Sequence, residues 1–293
     1  MSRAETLRGW LFASPWILGF CAFTGLPLAL SLWYSFTSFD LIHKAHWVGL
    51  ANYAYLLHSH TFWVSMYDTA YYSMGVVVLQ LALGLSIAML LNFRSRGSGL
   101  LRTIYYLPAV TSGVAVALLW GWLLDPTAGL IDQFLRSIGL PGPLWLGSPH
   151  WAKPAFILMS VWGIGPTIVL FIAALQGVRS ELVDAARVDG ATSWRVFLHI
   201  VLPAISPMML FVLVVSVIGS FQVFIPAYVL TGGGPVHSTY FAVLRIYQLA
   251  FQYLQFGQAT AMAWLMVLML LAITGIQFAL SGRWVYYAGD HRR

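Results

Sequence analysis

The chain has 293 residues, of which 60% are hydrophobic and only 8% charged, with a formal net charge of +6. Soluble domains average about 45–50% apolar and about 25% charged, so these figures exclude an ordinary water-soluble enzyme, and they exclude a disordered chain as well. The single cysteine, Cys21, excludes a disulfide framework and a Cys-rich metal centre.

Six long apolar stretches without Asp, Glu, Lys or Arg lie at 9–39, 69–93, 103–124, 154–178, 196–244 and 246–282. Each exceeds the about 20 residues with which a helix crosses a bilayer core. None shows the strict alternation over about ten residues that marks a transmembrane strand. The expected fold is all-α, a polytopic membrane protein of six transmembrane helices with cores at 10–33, 69–92, 103–124, 155–177, 204–230 and 260–281. No segment outside these is long enough for a separate domain, and residues 1–293 read as one transmembrane domain without internal repeat.

Arg3 and Arg8 precede the first span, whose start resembles a secretory signal; its length and its Pro15 and Pro27 favour a retained helix. The loop after it carries His43, His46, His58 and His60. No cysteine or carboxylate set accompanies them, so an interfacial loop is the better reading than a metal site. Arg94, Arg96 and Arg102 separate spans two and three, Arg179, Arg187 and Arg195 lie between four and five, and Arg283, Arg292 and Arg293 follow six. With Arg3 and Arg8 these place 11 of the 15 basic residues on one side, against Lys44, Arg136, Lys153 and Arg245 on the other. By the positive-inside rule both termini are cytoplasmic.

All nine acidic residues and all eight histidines lie outside the six cores, which disfavours a proton relay across the membrane. Neither HExxH nor GxSxG occurs, so a membrane enzyme has no visible centre and there is no catalytic residue to name. The two lysines, Lys44 after His43 and Lys153 after Ala152, fit no phosphate-binding GxxxxGK[ST] loop. Any energy from ATP must therefore come through a partner.

Between spans four and five lies the most informative segment, 178–203. It reads as a helix, a break at Gly190 and a second helix. Asp184 and Arg187 stand at i,i+3 spacing and can pair, Ala185 and Ala186 leave a flat surface, and Gly190 can take a left-handed terminus. Thr192 or Ser193 can cap the next helix, and Pro203 is tolerated because it opens span five.

This segment resembles the EAA loop of permease subunits in binding-protein-dependent ABC importers, with the pattern E-A-A-x3-G-x9-I-x-L-P. Asp184, Ala185, Ala186, Gly190, Ile200, Leu202 and Pro203 fall at its spacings without a gap, Asp184 standing for the family's glutamate. Glu181, Asp189 and Ala191 agree with the longer E-L-x-x-A-A-x-x-D-G-A form of carbohydrate permeases. The Thr231-Gly-Gly-Gly-Pro235 turn, 28 residues past Pro203, resembles the maltose-F and glycerol-phosphate-A type. The resemblance implies an ABC type I importer permease fold in the inner or plasma membrane of a prokaryote. It also implies that 178–203 couples to a separate ATPase, which binds the ATP and magnesium while this chain binds no cofactor. Further implied partners are a second permease chain, an extracytoplasmic solute-binding protein and a sugar substrate. A permease for another solute, such as glycerol phosphate, a polyol or an amino acid, stays open, as does a secondary transporter working alone.

A sugar needs hydrogen-bond partners and apolar faces. Span five offers Ser216, Gly219, Ser220 and Gln222 near its middle, where Gly219 and Pro226 can interrupt the helix. The resemblance, carried over by distance from Pro203, marks Ser216, Gly219, Ser220 and Val223 as substrate contacts. Trp162 and Gly163 in span four join them. Helix–helix hydrogen bonding for the serines and a packed kink at Trp162–Pro166 remain equal alternatives, and Gln222 is expected to face the interior.

Overall fold

A computed structural model describes the backbone of residues 3–92 and 98–286 and the side chains of 10–92, 99–100 and 103–286. Of the basic residues behind the topology, Arg94, Arg96, Arg292 and Arg293, and the side chains of Arg3, Arg8 and Arg102, lie outside the described residues. The described elements are all helical, apart from one isolated bridge between Thr37 and Trp47. In chain order the α-helices are α1 (Arg3–Phe20), α2 (Leu26–Ser35), α3 (Ala51–His58), α4 (His60–Leu91), α5 (Ser98–Tyr106), α6 (Gly113–Leu123) and α7 (Leu130–Ser137). They continue with α8 (Pro149–Ser160), α9 (Gly165–Gln176), α10 (Ser180–Val188), α11 (Ser193–Val196), α12 (Leu202–Phe221), α13 (Ala242–Tyr247) and α14 (Phe256–Ser281).

Trp10–Ser35, His60–Leu91, Ser193–Phe221 and Phe256–Ser281 are each long and apolar enough to cross a membrane. Two bent pairs, Thr103–Val110 with Gly113–Leu123 and Pro149–Gly163 with Gly165–Gln176, bring the number to six when each counts as one crossing. The chain is thus an all-helical, polytopic membrane protein.

Local chemistry accounts for the irregularities. A π-turn at Cys21–Gly25 precedes Pro27, which has no N–H to give the Phe23 carbonyl, and a second at Phe197–Val201 precedes Pro203 in the same way. The third stretch, expected as one helix over 103–124, turns through 107°. There Pro108 cannot continue α5, a 3-10 turn (Leu107–Val110) takes over, and the Thr111 hydroxyl donates to the Pro108 carbonyl at 2.7 Å before α6 restarts. The fourth stretch bends by 53°, with Pro166 opening α9. Gly165 lies against the Tyr105 carbonyl, which a Cβ would strike, so α5 and α9 approach backbone to backbone. The fifth, expected at 204–230, is helical from Ser193 to Phe221 and leaves the helix at Gln222 (φ −91°, ψ 15°).

The chain forms two compact units, Met1–Phe62 with Arg245–Leu268, and Trp63–Leu244 with Met269–Arg293. In the first, the Asn52 side-chain amide donates to the Ser35 and Thr37 carbonyls, both at 2.9 Å. It thereby satisfies acceptors that the end of α2 leaves open. The Tyr53 hydroxyl donates to Ser35 Oγ at 2.7 Å, and the Gly257 N–H to the Phe39 carbonyl at 2.9 Å.

Three apolar clusters hold the second unit. Ile168 and Phe171 pack with Ile205 and Val212, joining α9 to α12. Tyr72, Phe156, Phe241 and Leu244 join α4, α8 and the start of α13, and Trp120, Leu124, Ala155 and Met159 join α6 to α8. Between helices in lipid, which is as apolar as these side chains, such clusters hold by close van der Waals packing, which fixes the frame on which both candidate sites are built.

Candidate functional site

The segment 178–203 folds as its residues require. Helix α10 ends at Asp189, and Gly190 turns left-handed (φ +80°). The Ala191 N–H reaches the Ala186 carbonyl at 2.9 Å and the Gly190 N–H the Arg187 carbonyl at 3.0 Å. These two bonds are the Schellman pair that closes a helix C-terminus. Thr192 Oγ1 accepts from the Arg195 N–H at 3.4 Å and caps α11. Asp184 and Arg187 do pair, at 3.6 Å, with both side chains about two-thirds exposed, so the pair contributes little stability.

Glu181, Asp184, Ala185, Asp189 and Gly190 are exposed, Ala186 and Ala191 half-buried, and Pro203 half-buried at the start of α12. Leu182, Val188 and Trp194 add an exposed apolar set, with Val188 88% accessible. Beneath the loop lies an 870 Å³ cavity walled by Leu85, Met89 and Leu90 of α4, Leu175 of α9, and Asp184 and Trp194. A closed, capped helical hairpin thus offers small and apolar residues outward.

The second site lies elsewhere in the same unit. A 290 Å³ cavity is lined by Ser216, Gly219, Ser220 and Gly163, and a 510 Å³ cavity by Trp162, Gly163, Gln222 and Val223. The two share Tyr72, Ser160 and Gly163, so all seven residues singled out from the sequence line one pair of adjoining hollows. Gln222, expected in the interior, stands exposed at the end of α12 and faces the larger hollow. The Ser220 hydroxyl makes the interhelical hydrogen bond expected as one alternative, meeting Ser73 Oγ of α4 at 2.6 Å, and the residue also lines the smaller cavity. The kink at Trp162–Pro166 is likewise real and also forms cavity wall, with Trp162 set edge-on to Trp120 at 6.1 Å.

Sequence reasoning missed Tyr72, Thr111, Phe156, Ser160 and Thr167 in this lining. Gln80, a polar group inside an apolar run, was visible in the sequence and does line the smaller cavity. The others give no local signal, because only the packing of α4, α6, α8 and α9 brings them beside α12. Neither lining contains a charged side chain. Hydroxyls, the Gln80 and Gln222 amides and aromatic rings can hold a neutral polar ligand by hydrogen bonds and ring faces. Among the described residues no three His, Cys, Asp or Glu side chains come together as metal ligands.

Comparison with known proteins sets the chain among transport permeases. The chain is 38% identical over 290 residues to a probable ABC transporter permease of Bacillus subtilis, YesP, covering 97% of this chain and 94% of that one. It is 34% identical to the sn-glycerol-3-phosphate transport system permease UgpA of Yersinia pestis, covering 89% of each. It is 32% identical to the lactose transport system permease LacF of Rhizobium radiobacter, covering 95% of each. Among solved structures it matches a bacterial ABC transporter involved in the import of the acidic polysaccharide alginate. That match has a TM-score of 0.81 and 26% identity, over 96% of this chain and 98% of that one. The same kind of transporter in complex with an alginate pentasaccharide-bound periplasmic protein also matches, with TM-score 0.81, 25% identity and 96% of each chain covered. The model for the inner membrane components of binding-protein-dependent transport systems matches residues 80–286, and the chain belongs to that family of ABC importer permeases.

Proposed function

We propose that this permease forms the pathway for a sugar or sugar derivative in an ATP-driven importer. In this reading residues 1–293 are one permease domain with six crossings and both termini in the cytoplasm. Glu181, Asp184, Ala185, Ala186, Asp189, Gly190, Ala191 and Pro203 build the surface against which an ATPase subunit seats. Ser216, Gly219, Ser220, Gln222, Val223, Trp162 and Gly163 contact the substrate. A second permease chain completes the pathway, and a solute-binding protein outside delivers the ligand. ATP and magnesium belong to the ATPase.

The observation that carries the reading is the convergence of those seven residues on two adjoining cavities walled by hydroxyls and aromatic rings. The named relatives are permeases for lactose, glycerol phosphate and alginate, and of these the neutral polyhydroxyl kind suits the uncharged lining. One continuous helical run, Ser193–Phe221, begins in the exposed loop and ends at the cavities. Displacement of the loop by a closing ATPase would thus be delivered to Ser216 and Ser220 along a stiff rod.

A strain lacking this chain, supplied with single mono- or oligosaccharides as carbon source, should fail to grow on the one it imports. Ser220→Leu and Trp162→Ala should then raise the KM of uptake by roughly tenfold. Growth on every sugar would contradict the substrate class, and an unchanged KM in both variants would contradict the site.

A further inference from the structure

Lys153 of α8 and Asp68 of α4 form an ion pair at 2.6 Å, with side-chain exposures of only 16% and 3%. The ammonium lies over the rings of Tyr67 and Tyr71, 5.2 and 5.4 Å from their centroids. A buried pair of this kind is costly to desolvate, and apolar residues of similar volume would often serve stability as well. Its place therefore asks for a positional reason.

The surroundings supply one. The Asp68 carboxylate also accepts the backbone N–H of Tyr240, and the neighbouring Thr69 Oγ1 accepts the N–H of Ala242 at 2.9 Å. Two consecutive residues of α4 thus hold the end of the 231–242 segment. At its tip Val236 and His237 are left-handed (φ +49° and +60°), a conformation that persists only when neighbours enforce it. One helical turn along from the ion pair, Phe241 packs on Tyr72 and Phe156, with ring centroids 5.1 and 5.7 Å apart. Both of those rings line the 510 Å³ cavity. The whole arrangement sits away from the coupling loop, because the opposite end of α4, at Leu85–Asn92, walls the cavity beneath that loop.

We propose that Asp68 and Lys153 are positioning residues, a clasp that seats the 231–242 segment against the Tyr72 and Phe156 rings of the cavity wall. It keeps the pathway closed on the side opposite the coupling loop until the transport cycle opens it. The inference rests on the permease reading above, and its test is chosen so that the two can fail separately.

In a Cys21→Ser background, Ala117→Cys places a single thiol in the wall of the larger cavity, where Ala117 is fully buried. The rate at which an impermeant maleimide, added to the outside of native membranes, labels that thiol should rise roughly tenfold on Lys153→Met as the closed state loses its clasp. Lys153→Arg, which keeps a charge over the two tyrosines, should return the rate towards the parent. Unchanged labelling in a Lys153→Met chain that accumulates normally would overturn the clasp and leave the pair a packing feature. If Lys153→Met does not accumulate, Asp68→Asn with Lys153→Met, which strands no buried charge, carries the same two outcomes. The labelling needs no ATPase activity, so loss of the importer reading would not be mistaken for loss of this one.

Discussion

Gly165 and Gly219 stand on the two helices that face each other across the smaller cavity, and their surroundings predict opposite responses to a side chain. At Gly165 a Cβ would run into the Tyr105 carbonyl and within 2.9 Å of the Tyr106 Cα, both backbone atoms that cannot turn aside. Gly165→Val should therefore cost about 3 kcal/mol and show as poor accumulation in membranes. At Gly219 nothing lies within 4 Å of the Cβ position, and the position opens on the 290 Å³ cavity. Gly219→Leu should gain rather than lose stability, since glycine is about 1 kcal/mol poorer than alanine or leucine in a helix. Uptake should nonetheless fall by roughly tenfold or more as the hollow fills. Normal uptake by a well-accumulated Gly219→Leu chain would remove this cavity from the pathway.

At the level of elements, α4 and α12 share an apolar cluster and are joined by the 2.6 Å hydrogen bond between Ser73 and Ser220. Ser73→Ala should lower thermal stability in detergent by about 1 kcal/mol. Ser73→Ala with Ser220→Ala should cost scarcely more than either alone, because both remove the same bond. Additive losses would mean that the hydroxyls act separately. The helix–turn–helix at 180–196 was readable from the sequence because every device in it is local. The left-handed glycine, the Thr192 cap and the i,i+3 pair all act within one or two turns. The 107° turn at Leu107–Val110 was not, although Pro108 was in view, since apolar length measures how much chain suits lipid and says nothing of its direction. The extension of span five back to Ser193 was hidden likewise, because Pro203 looks like a helix start and is absorbed instead by the π-turn before it.

For the whole molecule, the six apolar stretches were legible because hydrophobic length is the strongest signal a sequence carries. The cavity walls were legible only in part. Ser216, Gly219, Ser220 and Val223 could be found by their distance from Pro203, whereas Tyr72 and Ser160 enter through packing against residues of α12 that are far from them along the chain. The proposed orientation predicts that a thiol placed at Val236, 85% exposed at the tip of its loop, is labelled from outside intact cells. One placed at Val188, on the coupling loop, should be labelled only after lysis. The reverse pattern would invert the topology and with it the roles of the two sites.

The central claim is that the 178–203 hairpin couples this permease to an ATPase. Purification of the chain from its native membrane, with its partners identified by mass spectrometry, tests that most directly. The account predicts an ATPase and a second six-span permease in the parent sample. The ATPase should be lost with Ala186→Asp while the chain still accumulates; Gly190→Asp should lose it too, although there the side chain also strains a left-handed backbone (φ +80°). Recovery of the chain alone, still moving solute without ATP, would contradict it and make the protein a secondary carrier.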